Sequence, residues 1–172
     1  MSKLVPVSLA LAFSFMLSGC NNMQSMDDKS LSYKEDILLS AKNYNGLIDL
    51  YRGWLKQKED PKIRYKLANY YYLVGDSKSS LYYLQPLMEK PDDTIYLLQI
   101  KNLIALKEYD KAIRTAEMLL QRSPESSDAY NLKGVALAES GRLTDGKAAI
   151  ERSRELFIAD DVAINNLAMI AI

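Results

Sequence analysis

The sequence predicts an all-α protein in which helical hairpins stack one after another into a solenoid. Three observations support this fold class. A period of 34 residues recurs along the chain, apolar residues recur at helical spacing, and glycine and proline are sparse, at 7 and 5 of 172 residues. A period of this length is typical of repeat proteins, whose units bury their apolar faces against their neighbours. β-Branched residues form no alternating runs, so the sequence does not favour strands.

The period is clearest between two segments, 93–126 and 127–160, which align without a gap. Tyr96 then matches Tyr130, and a leucine seven residues later matches in both segments. A third copy begins at Pro61, a weaker fourth copy precedes it, and a partial copy ends the chain. The predicted repeat units are therefore 28–60, 61–92, 93–126, 127–160 and 161–172.

Within each unit, large, small and turn-forming residues follow a fixed order. Small residues such as Ala68 and Ala112 would let two helices approach closely, and Gly75 and Gly141 stand where a turn needs a positive φ. This order resembles the tetratricopeptide repeat (TPR), a unit of two antiparallel helices. The resemblance implies a right-handed superhelix over nearly all of the chain after the first 30 residues.

Several positions depart from the TPR pattern. Ile100 stands where a small residue is expected, Gln99 and Lys133 replace a leucine, and Ile158 replaces a proline. The unit at 28–60 could be a generic helical hairpin. An undifferentiated helical bundle is therefore the alternative to a solenoid.

The tyrosine run at 70–72 divides between environments if the TPR register is correct. Tyr71 falls at a core position and Tyr72 at a position that faces the inner groove, whereas Tyr70 is expected on the outside. Most of the 12 tyrosines are expected to pack between helices.

The first twenty residues resemble a bacterial lipoprotein signal. Residues 1–3 carry one lysine, residues 4–17 are almost entirely apolar, and the sequence then reads Leu17-Ser18-Gly19-Cys20. This ending resembles the lipobox, in which a peptidase cuts before a cysteine that carries diacylglycerol. The alternatives are a plain secretory signal and a buried N-terminal helix with an incidental cysteine.

The lipobox resemblance implies a membrane anchor at Cys20. Several acyl chains (palmitate among them) on one residue anchor a protein stably, where a single chain does not. Asn21 after the cysteine implies transfer to the outer membrane, with the chain facing the periplasm. The expected organisation is a signal peptide at 1–19, the lipidated cysteine with a polar tether at 20–30, and TPR-like repeats at 31–172.

Composition argues against several functional classes. The chain has no histidine and 1 cysteine, so the commonest general base, histidine metal ligands and an intramolecular disulfide are all excluded. Its 22 basic and 22 acidic residues cancel, which gives nucleic acid no electrostatic attraction. No phosphate-binding loop or paired-carboxylate site appears. We therefore expect no enzyme activity, no cofactor, no metal and no small-molecule substrate.

In TPR proteins, four positions of each unit's first helix line the inner groove of the superhelix. By this resemblance, the predicted partner-binding residues are Lys62, Tyr65, Asn69, Tyr72, Leu97, Lys101, Ile104, Asn131, Val135 and Asn165. Tyrosines, amides and lysines together suit an extended peptide that carries carboxylates. The set resembles the carboxylate-clamp grooves of chaperone-binding TPR proteins only in part. A solvated helix face is the alternative reading of the polar members.

A lipobox followed directly by TPR units resembles assembly lipoproteins, in particular the TadD lipoproteins of the tight-adherence (Tad, Flp pilus) secretion system. The residues that carry this resemblance are AYNLKGVALA at 129–138, GRL at 141–143 and DDVAINNLA at 160–168. It implies a scaffold that assists pilus assembly at the outer membrane, with the secretin or another assembly component as its protein partner.

Two alternatives remain within the non-catalytic class, and one outside it. The chain also resembles the pilotin lipoproteins of type IV pili, or it adapts periplasmic proteases or cell-wall enzymes to their substrates. An enzyme is the third possibility. The sequence leaves open the partner's identity, the particular pilus or envelope machine and the oligomeric state.

The C-terminal residues 167–172 form an apolar run, LAMIAI, where a repeat array normally ends in a helix with a polar outer face. We expect that the natural chain continues beyond Ile172. A partner or a second copy that covers this face is the alternative.

Overall fold

Helices form the regular structure of the described residues. The computed structural model describes residues 28–156 and 160–170. Within these two ranges there are nine α-helices, one short 3-10 helix and no strand, which confirms the predicted all-α class. The helices are α1 (Asp28–Ser40), α2 (Tyr44–Leu55), α3 (Pro61–Leu73), α4 (Ser77–Leu84), the 3-10 helix (Gln85–Glu89), α5 (Asp93–Ala105), α6 (Tyr109–Arg122), α7 (Ser127–Glu139), α8 (Leu143–Glu155) and α9 (Asp160–Ile170).

The helices are arranged as stacked hairpins. Each helix packs against the next one along the chain, and α3 with α5, α5 with α7, and α7 with α9 also contact each other. This pattern of neighbour and next-but-one contacts is that of a solenoid, as the sequence predicts. Helices α1, α3, α5 and α7 begin at the first residues of the predicted units, and α9 begins one residue earlier. Residues 28–30, assigned above to the tether, lie in α1.

Side-chain caps begin the first helix of three hairpins. The Asp60 carboxylate accepts a hydrogen bond from the Lys62 backbone N–H at 2.8 Å, and Pro61 occupies the first helical position. Asp92 and Ser126 cap α5 and α7 in the same way. A cap satisfies backbone donors that have no partner within the helix, so these residues define where each unit starts.

Four hairpin turns share one conformation. Gly75 and Gly141 have φ values of +83° and +88°, and Lys42 and Lys107 adopt +51° and +59° at the equivalent positions. In each turn the positive-φ residue donates to a carbonyl three residues earlier, and the next residue donates to one five residues earlier. These two backbone hydrogen bonds form the Schellman motif, which commonly ends α-helices. The sequence indicated only the two glycine turns.

Close helix contacts depend on small residues. Ala68 and Ala112 are fully buried, as expected. A Cβ atom on Gly134 would lie 2.5 Å from the Ile150 Cγ1 atom and 2.8 Å from the Gly146 carbonyl oxygen. Helices α7 and α8 therefore pack backbone against backbone.

Two residues differ from the sequence-based expectation. Tyr70 was expected outside, but it is 8% exposed and stacks on Tyr51 at a ring distance of 5.7 Å. The prediction for Tyr70 was wrong because α3 packs against α2 through this side of the helix. Ile100 is fully buried where a small residue was expected, and its cluster contains Ala112 and Ala116, which leave room for the larger side chain.

Some predictions fall on residues that the structure does not describe. The signal peptide at 1–19, Cys20, tether residues 21–27 and Ile158 lie outside the described ranges. Among residues 28–156 and 160–170, no helix combines the length and the apolar character that crossing a bilayer would require.

Candidate peptide-binding face

The predicted binding residues lie on adjacent helices. Lys62, Tyr65, Asn69 and Tyr72 occupy α3 at intervals of three and four residues, which places them on one side of that helix. Leu97, Lys101 and Ile104 follow the same spacing on α5, and Asn131 and Val135 follow it on α7. Because α5 contacts both α3 and α7, the three helices place these sets side by side.

The tyrosines of α3 are held by packing. Tyr65 and Tyr72 are partly buried and lie against a cluster of buried residues that includes Ala68, Leu84 and Ile95. Asn69 between them is partly exposed. Rings fixed in this way lose little conformational freedom when a partner binds, so they suit an anchoring role.

The α5 part of the face is apolar with one cation. Leu97 and Ile104 are partly buried and pack on the cluster that contains Ile100 and Leu103, while Lys101 is exposed. Lys62 on α3 is also exposed. Neither Lys62 nor Lys101 forms an ion pair within the described part of the chain, so both ammonium groups are available to a carboxylate.

The α7 part of the face is partly covered. Asn131 is 7% exposed, and its Oδ1 atom accepts a hydrogen bond of 2.7 Å from the Asn166 Nδ2 atom on α9. Val135 is partly exposed, and Asn165 is exposed. Asn131 therefore ties α7 to α9, and the structure leaves α3 and α5 as the open part of the predicted set. The sequence-based prediction named Asn165 on α9 and missed its neighbour Asn166, which makes this bond.

A charged pair lies beside this face. Glu35 on α1 accepts a hydrogen bond of 2.6 Å from the Lys66 ammonium on α3, and the ammonium also lies 5.8 Å from the centre of the Tyr51 ring. Burial raises the pKa of Glu35, but the Lys66 ammonium and the Tyr51 hydroxyl lower it by more, so the pKa is lowered overall. Burial raises the pKa of Tyr51, and the Glu35 carboxylate raises it further. Sequence reasoning missed this pair.

Comparison with known proteins rests on structure. No protein-family model and no curated protein sequence matches the chain. Among solved structures, YrrB, described as a TPR protein with an unusual peptide-binding site, matches with a TM-score of 0.72 at 16% identity, over 83% of this chain and 75% of that one. The chain has the TPR fold.

Two further TPR structures support the same conclusion. A thermophilic TPR protein of Thermus thermophilus matches with a TM-score of 0.69 at 16% identity, over 84% of this chain and 81% of that one. MamA of Desulfovibrio magneticus matches with a TM-score of 0.64 at 20% identity, over 76% of this chain and 77% of that one. In TPR terms, α3, α5 and α7 are the first helices of their units.

Proposed function

We propose that this chain is a non-catalytic TPR scaffold that binds an extended segment of a partner protein along α3 and α5. The observation that carries the proposal is the combination of two packed tyrosines with two exposed lysines on adjacent first helices. Tyr65 and Tyr72 would supply contact area, the Asn69 amide would bond the peptide backbone, and Lys62 and Lys101 would meet carboxylates. The partner is therefore an acidic segment.

The cellular setting of the proposal comes from the first twenty residues. We propose that Cys20 carries lipid, that the chain is anchored in the outer membrane facing the periplasm, and that it assists assembly of a Tad pilus machine. The lipobox-like Leu17-Ser18-Gly19-Cys20 and the TadD-like runs at 129–138 and 160–168 support this setting. The secretin or another assembly component is the proposed partner.

A charge-reversal variant tests the binding face. Lys62→Glu with Lys101→Glu should weaken capture of the partner by about tenfold or more, because a carboxylate-bearing segment would meet like charge. Both side chains are exposed, so the melting temperature should stay close to that of the parent. The measurement is recovery of bound proteins from membranes, followed by their identification.

The matched control is Lys56→Glu with Lys58→Glu, which makes the same change in charge at exposed positions after α2. It should retain the partner. Loss of a pilus component from the first variant alone supports the assembly role, and loss of a protease would support the adaptor role instead. If both variants retain the same proteins, the partner does not bind along α3 and α5.

A further inference from the structure

Helix α4 is shorter than the other helices at its place in the hairpins. It has 8 residues, whereas α2, α6 and α8 have 12, 14 and 13. Pro86 explains the early end, since proline has no N–H to donate and its ring clashes with the carbonyl four residues earlier. The chain continues as the 3-10 helix Gln85–Glu89. This hairpin therefore packs beside α5 with an irregular second half.

A cavity of about 610 Å³, widely open to solvent, lies between α4, α5 and α6. Apolar side chains from α4, the 3-10 helix and α5 form much of its lining, namely Leu81, Leu84, Met88 and Leu103. Leu84 and Leu103 are buried, and Met88 has the flexible side chain that adapts to a bound group. This volume lies within the range of ligand-binding cavities, which are mostly apolar with a few polar groups.

Gln99 is one of the polar residues that line this cavity, and it stands at the TPR position that normally holds leucine. In the preceding unit Leu67 occupies this position and is fully buried. In the following unit Lys133 occupies it and forms an ion pair of 2.9 Å with Glu117. The Gln99 Oε1 atom is buried, and no donor within the described part of the chain reaches it. An unsatisfied buried acceptor is costly, so rotation of the amide toward the cavity, where a bound group could supply a hydrogen bond, would be favoured.

The mouth of the cavity carries an aromatic ring and positive charge. Tyr82 is 68% exposed there, and Lys78, Lys111 and one carboxylate, that of Glu108, line the same opening. Lys111 pairs with Glu108, whereas Lys78 forms no ion pair within the described ranges. Because Glu108 neutralises Lys111, the opening favours an aromatic group with a carboxylate placed beside Lys78.

We propose that this cavity is a second protein-binding site, which accepts a tyrosine side chain flanked by an acidic residue. The apolar walls would contact the ring, and the tyrosine hydroxyl would bond to the Gln99 amide. A hydroxyl can donate or accept, and rotation about the last bond of a glutamine side chain is easy, so the amide can offer either of its atoms. Gln99 and Leu103 lie on the opposite side of α5 from Leu97 and Lys101, so this site is separate from the face along α3 and α5.

Small analogues of the side chain test the proposal. We would titrate the ¹⁵N-labelled chain with p-cresol, which has the hydroxyl, and with toluene, which lacks it. We expect p-cresol to shift the amide resonances of α4, α5 and α6 and to bind about tenfold more tightly than toluene.

The Gln99→Leu variant restores the usual TPR residue and should fold at least as well as the parent. It should bind p-cresol no more tightly than toluene, because the hydroxyl has lost its partner, and it should melt at a higher temperature, because the unsatisfied amide is gone. Gln121→Leu, the same change at an exposed position of α6, should keep the preference for p-cresol. The proposal is overturned if the parent binds neither compound at this cavity, if it does not prefer p-cresol, or if Gln99→Leu keeps the preference.

Discussion

At the scale of single residues, the Glu35–Lys66 pair is the clearest link between hairpins. The Glu35 side chain is 15% exposed and the Lys66 side chain 43%, and the bond joins α1 of the first unit to α3 of the second. A half-buried carboxylate of this kind needs its cation, because burial alone would favour the protonated form. Its lowered pKa means that the folded chain stabilises the charged carboxylate.

The pair predicts a pH dependence. Since the pKa of Glu35 is lower in the folded chain than its ordinary value of 4.5, its contribution to stability is complete above that value. The contribution is lost as the pH falls through the lower, folded-state pKa. Thermal melting of Glu35→Gln should therefore show a smaller loss of stability on acidification than the parent.

Glu125→Gln provides the control for this measurement. Glu125 is exposed and forms no ion pair within the described residues, so its replacement should leave the parent's pH profile unchanged. An identical acid profile for Glu35→Gln and the parent would show that the pair does not stabilise the fold.

At the scale of the helical hairpin, four turns share a positive-φ conformation, but only two of them have glycine at the positive-φ position. Lys42 and Lys107 adopt positive φ, which costs an L-residue with a side chain roughly 1–2 kcal/mol. The Schellman hydrogen bonds and the packing of the hairpin hold them there. Turn geometry is therefore imposed by the hairpin as much as by the turn residue.

Exchanging the turn residues should move stability in opposite directions. Lys107→Gly should raise the free energy of unfolding by about 1 kcal/mol by removing strain, and Gly141→Ala should lower it by about 1 kcal/mol by adding strain. No atom lies within 4 Å of a Cβ built on Gly141, so the loss would come from the backbone alone. Denaturant unfolding measures both changes. A Lys107→Gly protein no more stable than the parent would argue against the left-handed turn.

The same contrast shows how far the sequence could predict the fold. The period, the hairpin starts and the glycine turns are visible because each depends on a residue type with a strong local preference, such as Asp60, Pro61 and Gly75. Lysine has no such preference, so the sequence did not indicate the turn at Lys107.

The candidate site was less predictable. The TPR resemblance placed Tyr65 and Tyr72 on one side of α3, but it could not show that α9 covers Asn131 through Asn166. The prediction for Tyr70 was wrong because the packing of α2 against α3 decides which side of α3 is buried, and the sequence of α3 alone does not show this. The unsatisfied Oε1 atom of Gln99 lies beside a cavity that α4, α5 and α6 form together, so its environment also depends on several elements.

At the scale of the whole molecule, the proposed setting depends on Cys20. Cys20→Ala should leave an uncleaved precursor or a form without lipid, because no other cysteine is present to accept diacylglycerol. The measurements are membrane fractionation and metabolic labelling with palmitate. Ser18→Ala, which keeps a small residue before the cysteine, is the control and should remain lipid-labelled. Unchanged labelling of Cys20→Ala would exclude this cysteine as the anchor.

The hydrophobic core is divided into separate clusters, and this division affects how partner binding changes the local stability of the repeat array. Three clusters of buried side chains follow one another along the described residues, and the middle one has four members, Ala68, Leu84, Ile95 and Leu98. Helices α3 and α5 each contribute side chains to the middle cluster and to one flanking cluster. The hairpins on either side are therefore coupled through the packing of the middle cluster, which we call the junction. In a stack with only local contacts, the free energy that resists opening varies from place to place, and it is lowest where least is buried. A segment bound across α3 and α5 would hold the junction closed, so partner occupancy and local unfolding are linked equilibria.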